Sequence, residues 1–553
     1  MELYEKYIKE TIDEFGHLTD ISFNIPENFN FAFDIIDYYG KVKPNKVAMI
    51  WIADDKSERK FTFKDISEYS SMTANYFKSL GIKKGDKVLL ILRRHYQFWF
   101  SILALHKLGA VAIPATDQLM KKDLVYRINL AEVKAVICSS SGTIATEVEK
   151  AVADCGQVKV KVITGCSREG WRDFDSEMAT FSSTFLRPEG NDATSKSDTM
   201  VMFFTSGTTG YPKLAIHDYT YAIAHFTTAK WWHNVNVEGL HLTVADTGWG
   251  KALWGKLYGQ WILSAPIFVY DFTKFNADDL LTLIQKYRIT TFCAPPTIYR
   301  FFIKEDLSKY DLSSLQYVTT AGEALNPEVF KQLQNATGLK LMEGFGQTET
   351  SLTLANLIGA TSKPGSMGKP NPQYKIRLIT SEGNLAVAGE VGEVCIDVSV
   401  PPVGLFKGYY HDEVNTNAVI HDGVYHTGDM AWFDEDGYYW FVGRTDDLIK
   451  SSGYRIGPFE IESVIMEYPS VLECAVTGVP DPVRGQIVKA TIVLIKGVEG
   501  TEELKKEIQT YVKHATAPYK YPRVIEFVSE LPKTISGKIK RTEIRKGSES
   551  ANT

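Results

Sequence analysis

Thr205-Ser206-Gly207-Thr208-Thr209-Gly210-Tyr211-Pro212-Lys213 follows directly on the apolar run Val201-Met202-Phe203-Phe204. The two together read as a buried strand that delivers a polar loop. Glycines let backbone N–H groups turn inward without a Cβ clash, the Thr and Ser hydroxyls add donors, and Lys213 supplies a positive charge, so the loop is suited to hold phosphate. A Walker A loop needs Gly-Lys-Ser/Thr running into a helix, whereas here Pro212 separates Gly210 from Lys213 and Leu214 follows. The ordinary P-loop NTPase reading therefore fails. Taken alone, the segment also reads as a polar Gly/Thr surface turn.

Working outward, short Val/Ile-rich runs alternate with helical patterns. Lys87–Leu92 precedes an aromatic helix reaching Leu108, then Gly109–Pro114 follows, and the rhythm recurs at Ala135–Cys138, Val158–Ile163 and Thr290–Cys293. That rhythm predicts parallel α/β layers. From about Ile376 to Phe441 the texture changes to short alternating segments with turns at Glu382-Gly383-Asn384 and Asp436-Gly437-Tyr438, which predicts a β-rich subdomain. Past Gly443-Arg444-Thr445-Asp446-Asp447 a helix (Glu460–Met466), two strands (Glu473–Val479, Lys489–Ile495) and another helix (Glu502–Val512) predict a small α+β domain. The expected fold is α/β: a large multi-sheet N-terminal body over 1–445, its β-rich subdomain at 376–445, and a small C-terminal domain over 446–553.

A chain of 553 residues with a net charge of -6 carries no basic field to draw nucleic acid or an anionic membrane. Its six cysteines show neither a CxxC pair nor metal-ligand spacing, which reads as reduced thiols and disfavours zinc and a disulfide frame. The polar, acidic start and the lack of a membrane-length apolar run predict a cytoplasmic protein with no membrane span. The partners expected are small molecules; homo-oligomerisation stays open.

Six motifs in order carry a resemblance over nearly the whole chain: the Thr205–Lys213 loop, Gly344-Phe345-Gly346-Gln347-Thr348-Glu349-Thr350, Tyr425-His426-Thr427-Gly428-Asp429, Gly443–Asp447, Ser452-Gly453-Tyr454-Arg455 and Pro532–Lys538. With them the chain resembles the adenylate-forming superfamily of acyl-CoA synthetases, luciferases and peptide-synthetase adenylation domains, and looks most like medium-chain acyl-CoA synthetases. A carboxylate resists a thiol until it is joined to a good leaving group. ATP supplies AMP for this, and the charge that builds on phosphoryl oxygens must be stabilised.

The resemblance implies ATP, Mg²⁺ and coenzyme A as cofactor and co-substrates, and a role for each motif. The loop residues Thr205, Ser206, Gly207, Thr208, Thr209, Gly210 and Lys213 would meet the β- and γ-phosphates. Glu349 would hold Mg²⁺ and Thr348 would donate to the α-phosphate. Gly322, Glu323 and Ala324 would lie along the adenine with Glu343 at its amino edge, Gly344, Phe345 and Gln347 would also contact ATP or AMP, Asp429 would bind the ribose, and Arg444 would reach the ribose or a phosphate. Lys538 would be the electrophilic catalyst, with Thr348 and Glu349 also in the catalytic group, Asp446 the hinge of a mobile C-terminal domain, Ser452 and Gly453 the CoA-facing loop, and Arg455 a charge for ATP/AMP phosphate or CoA. Competing readings are a helix-starting carboxylate for Glu349, a cap on the helix near Pro327 for Glu323, a surface turn for Asp446 and a solvated basic tail for Lys538.

Acetyl-CoA synthetases, similar in pattern, place tryptophan where this chain has Gly346, so glycine is expected to open the acyl pocket. Trp249, Gly250, Lys251 and Trp254 would face it with Ala321 and Cys293, an apolar wall bounded by two indoles and suited to a medium-chain or short branched acid. Lys251 would salt-bridge a neighbour, shorten the tunnel or turn outward. The readings that compete with an acid:CoA ligase are an enzyme that loads a carrier-protein pantetheine, a luciferase-like oxygenase and a non-catalytic nucleotide-binding protein.

Overall fold

The computed structural model of the chain describes residues 2–205, 212–323, 325–451, 454–517, 519–533 and 539–550, with only the backbone of Arg455 and of 548–550. Among these residues, two large sheets dominate. One has seven strands and holds Lys213–Asp218, Thr199–Thr205, Val111–Pro114, Lys87–Ile91, Ala135–Ser139, Val160–Thr164 and Arg172–Asp173 in spatial order. The other has nine, with Leu341–Gly346, Tyr317–Thr320, Thr291–Ala294, His241–Thr243, Ile267–Asp271 and Val47–Ala53 forming its parallel centre.

Both sheets bury both faces, which is why their strands read as near-continuous apolar runs. Val88 and Leu90 face one cluster while Leu89 and Ile91 face another; Met49 and Trp51 share the first cluster, and Ile50 and Ile52 face a third. The helix Gln97–Leu108 lies in the shared core, buried along its entire length. That includes Lys107, whose Nζ is held by Asp37 at 2.8 Å and Ser71 at 2.7 Å. A buried ammonium keeps its place only with such partners.

The parallel reading holds for the sheet centres and for the Arg172–Asp173 edge, and fails at the other edges. Lys213–Asp218 runs antiparallel to Thr199–Thr205, with Thr205 opposite Lys213. The loop of the opening motif therefore joins the two strands of a hairpin, whose strand-to-strand hydrogen bonds put both its ends at one sheet edge.

A third sheet gathers Ile376–Ile379, Gly392–Asp397, Ile420–His421, Val424–Phe433 and Tyr439–Arg444, matching the β-rich expectation. A fourth, built from Ile449 onward, pairs Val471–Asp481 with Gly485–Leu494 and carries the helices Pro458–Met466 and Glu502–Ala515 on its own apolar cluster. The hairpin Ile8–Ile12/Leu18–Phe23 completes the five. Among the described residues no helix is long and apolar enough to cross a membrane.

Candidate active site

Gly346 ends a parallel strand of the nine-stranded sheet, and the next residues turn. Gln347 N–H donates to Thr350 Oγ1 at 3.0 Å and Thr350 N–H returns to the Gln347 carbonyl at 3.2 Å. Carboxyl ends of such strands are where α/β proteins place ligands. No helix starts at Glu349; a strand, Leu352–Ala355, follows instead, so the helix-starting reading of that carboxylate is set aside.

Gln347 reaches across to the third sheet, where its Nε2 donates to the Thr427 carbonyl at 2.8 Å and to Asp429 Oδ2. Its Oε1 accepts from the Tyr425 hydroxyl at 2.6 Å. Arg444 lies opposite Asp429 in the ladder and donates from Nη1 to the Thr427 carbonyl (3.0 Å) and Asp429 Oδ1 (3.4 Å). Gly428, between them, has φ +71°, and a Cβ there would stand 2.8 Å from Arg444 Nη2. Only glycine fits both constraints. Burial works against the Arg444 cation, but the charges of Asp429 and Asp446 outweigh it and raise its pKa.

Beside this network, Tyr409 donates to Glu349 Oε1 at 2.7 Å, and Lys213 Nζ sits 4.9 Å from the centre of the Tyr409 ring. The loop strand, the Gly344–Thr350 motif and the segment around Tyr409 thus meet. His217, on the strand that Lys213 starts, donates from Nε2 to the Thr348 carbonyl at 2.8 Å. Burial holds its pKa down at about 3, so the imidazole is neutral. Ser206, Gly207, Thr208, Thr209 and Gly210 lie outside the described residues.

Glu343 is 3% exposed, and burial pushes its carboxyl up to about 8. Oε1 accepts from Leu325 N–H at 3.2 Å, and Oε2 is buried without a hydrogen-bond partner among the described residues. A neutral carboxyl there is an orphan donor beside the Gly322 segment. Glu323 does not cap the helix Pro327–Thr337. Asn326 does, accepting from Glu328 N–H at 2.7 Å, while Glu323 pairs with Arg300 at 3.6 Å. Ala324 is outside the described residues.

The AMP-binding enzyme profile matches residues 37–410, and that of the AMP-binding enzyme C-terminal domain matches 460–538. The chain belongs to the AMP-binding enzyme family. Acyl-coenzyme A synthetase ACSM3, mitochondrial, of Pongo abelii is 40% identical over 95% of this chain and 91% of its own length; ACSM5, mitochondrial, of Rattus norvegicus is 40% identical over 94% and 91%. Among solved structures, the anthranilate CoA ligase AuaEII in complex with anthranoyl-AMP superposes with a TM-score of 0.87 at 29% identity, covering 96% of this chain and 99% of that one. A Brucella canis acyl-CoA synthetase superposes at 0.71 with 31% identity over 95% of each chain.

In this AMP-binding enzyme the predicted acyl wall divides. Trp254 comes from the helix Gly250–Lys256, its Nε1 donating to the Tyr221 hydroxyl at 3.0 Å. Its ring occupies the space beside Gly346: a Cβ on Gly346 would lie 2.5 Å from the indole and 2.4 Å from the Ser351 carbonyl oxygen. Glycine here leaves room for the Trp254 indole, which faces it as expected. Cys293 and Ala321 instead cluster with Trp232, Leu352 and Ala355. Trp232 lies against Gly344, where a Cβ would meet the ring at 2.6 Å. Sequence reasoning missed it, although the doublet Trp231-Trp232 was there to see. Lys251 Nζ donates to the Ala321 carbonyl at 2.5 Å, which turns it toward the Ala321–Gly322 backbone. Trp249 stands at the N-cap of the same helix, next to Gly250. Phe345 is half-buried against the apolar cluster of the third sheet.

Asp446 lies 3.6 Å from Arg444 Nε, while its neighbour Asp447 pairs with Arg545 at 2.8 Å. The backbone of Arg455 pairs with Lys450 in a short hairpin. Ser452, Gly453 and Lys538 are outside the described residues. The basic residues flanking Lys538 do not form a free tail: Arg541 makes a two-pronged contact with Glu462 at 2.7 Å, Lys533 pairs with Glu473 at 2.7 Å, and Lys540 with Glu543 at 2.8 Å.

Proposed function

We propose that this chain is an ATP-dependent acid:CoA ligase: a carboxylate attacks the α-phosphate of ATP, pyrophosphate leaves, and the thiol of CoA displaces AMP from the acyl-AMP. The single observation that carries the reading is the Gln347–Asp429–Arg444 network near Glu349. It supports a diol-binding role for one carboxylate and a cation-binding role for the other.

In this reading Asp429 accepts from both ribose hydroxyls, and Arg444, already half-neutralised, steadies the ribose and phosphate edge. Thr348 and the Thr205–Lys213 loop face the phosphates, and Gly322, Glu323, Ala324, Glu343, Gly344 and Phe345 the adenine. Glu349, oriented by Tyr409, fits Mg²⁺, a hard cation that takes carboxylate and phosphate oxygens. When bound, the ion neutralises phosphate charge. Lys538 stabilises the charge that develops in transfer. Ser452, Gly453 and Arg455 meet CoA. Trp254 against Gly346, with Trp249, Gly250 and Lys251 on one side and Cys293 and Ala321 on the other, bounds the acid at medium-chain or short branched length.

The working division is 1–445 and 446–553. Arg444 is anchored to Asp429 and Asp447 to Arg545, so Asp446 stands where the chain changes anchors. CoA rather than a carrier protein is the acceptor, in keeping with the relatives' names. The cytoplasmic expectation is a proposal that those names, which carry the word mitochondrial, do not support; cell fractionation separates the two.

The test is acid-dependent ATP–pyrophosphate exchange from acetate to dodecanoate with branched acids included, followed by CoA addition. AMP must accumulate with the thioester. ADP as the spent nucleotide, or no exchange with any acid, would end the proposal.

A further inference from the structure

Glu393 and Cys395 are two residues apart on the strand Gly392–Asp397 and project from one side of it. Cys395 lies directly opposite His426 on Val424–Phe433, and the next pair is Glu393 with Met430. Between those pairs Thr427, Gly428 and Asp429 oppose Val394 alone, so the strand bulges where it carries the proposed ribose carboxylate. The bulge aims Gly428 N–H at Glu393 Oε1, 2.8 Å away. The other oxygen, Oε2, lies 2.9 Å from His426 Nδ1, and Cys395 Sγ lies 3.6 Å from the same nitrogen.

A thiol, an imidazole nitrogen and a carboxylate oxygen thus converge, all within 4.8 Å of one another. His426 Nε2 is buried without a hydrogen-bond partner among the described residues, and the His421 ring stacks on His426 at 4.1 Å between centroids.

We propose that Glu393, Cys395 and His426 bind a divalent transition metal of the zinc class, distinct from the Mg²⁺ that accompanies ATP. Tetrahedral bonds of about 2.0 Å to N and O and about 2.3 Å to S separate the ligand atoms by roughly 3.3–3.6 Å. The observed N···O distance of 2.9 Å needs a small widening and the N···S distance of 3.6 Å none, while all three atoms lie within 4.8 Å of one another. A soft sulfur donor beside imidazole and carboxylate selects zinc, cobalt or nickel over magnesium and calcium.

Binding forms metal–N, metal–S and metal–O bonds and leaves a fourth position for water. The Nδ1 proton moves to Nε2 and the thiol proton leaves to solvent, one proton released per ion. The side chains of His426 and Glu393 are 19% and 21% exposed, so an ion can enter from solvent. Glu393 already receives the backbone N–H of Gly428, an outer contact that orients the ligand. An ion here would clasp the base of the bulge that presents Asp429.

The experiment uses the full chain in Mg²⁺ buffer with Co²⁺ as probe. The wild type should bind one equivalent and show a thiolate-to-cobalt charge-transfer band, which Zn²⁺ displaces. Cys395→Ser should lose the band, while Cys166→Ser, which removes the exposed thiol, should keep it. Glu393→Gln keeps an acceptor for Gly428 N–H and should weaken zinc affinity by more than the roughly 10–100-fold that outer contacts alone are worth. Absence of the band in wild type, or its survival in Cys395→Ser, overturns the proposal and leaves a plain Glu–His pair. Exchange activity without added transition metal, intact in Cys395→Ser, reports that the variant is folded.

Discussion

Around Asp429 the fit is made by hydrogen bonds among Gln347, Tyr425, Thr427 and Arg444, each a directional contact between named polar atoms. Around Gly346 it is made by an indole face lying where a side chain would otherwise be. The polar side depends on which residues stand at a few positions; the apolar side depends on where the helix Gly250–Lys256 sits against the strand Leu341–Gly346. In the proposed site the polar side should tolerate little change of residue type, and the apolar side should change the acid preference by volume.

The sharpest break of that contrast is Lys538→Ala. With Lys538 in the proposed role, removing its charge should lower acid-dependent ATP–pyrophosphate exchange by about 100- to 1,000-fold, with thioester formation from supplied acyl-AMP retained. Equal loss of both half-reactions would refute a division of labour between them. Next, Asp429→Asn should raise KM for ATP by about 10- to 100-fold, the worth of a lost charged hydrogen bond with Arg444 left unmatched. An unchanged KM would remove Asp429 from the nucleotide side.

On the apolar side, Trp254→Ala should move the ratio of kcat/KM for longer over shorter acids upward by about tenfold or more, in line with what pocket methylenes are worth. Gly346→Trp is expected to fail differently: its indole would need the volume Trp254 holds, so loss of folded protein rather than a narrower preference should appear in a thermal scan. If Gly346→Trp folds and prefers acetate, the packing argument is wrong.

The smallest effect concerns Glu343. Its folded pKa of about 8 lies above the ordinary carboxylate value, so its contribution to stability is full below the unfolded value of 4.5 and is lost as pH rises toward about 8. Glu343→Gln should flatten this slope and raise the thermal midpoint at pH 8 by about a few degrees. Parallel pH profiles for both proteins would place the ionised carboxylate in contact with water.

The sheet centres were legible because strands buried on both faces leave long apolar runs, as at Lys87–Ile91 and Ala135–Ser139. The antiparallel edges, such as Lys213–Asp218, were not, since pairing direction at an edge is set by the neighbouring strand. The polar site was legible where glycines and charges sit at fixed offsets. Tyr409 and His217 escaped because a tyrosine in irregular chain and a histidine within a strand leave no periodic mark; they join the site through contacts to Glu349 Oε1, Lys213 and the Thr348 carbonyl.

Sequence by itself determined the family: six motifs in order, with carboxylates at 349 and 429, a guanidinium at 444 and glycine at 428, carry a resemblance whose chemistry is acid adenylation. Tertiary structure decided where the Trp254 indole sits and the company kept by Glu343, Lys251 and His426. Packing and desolvation are sums over neighbours distant in the chain, and no local run of residues contains them.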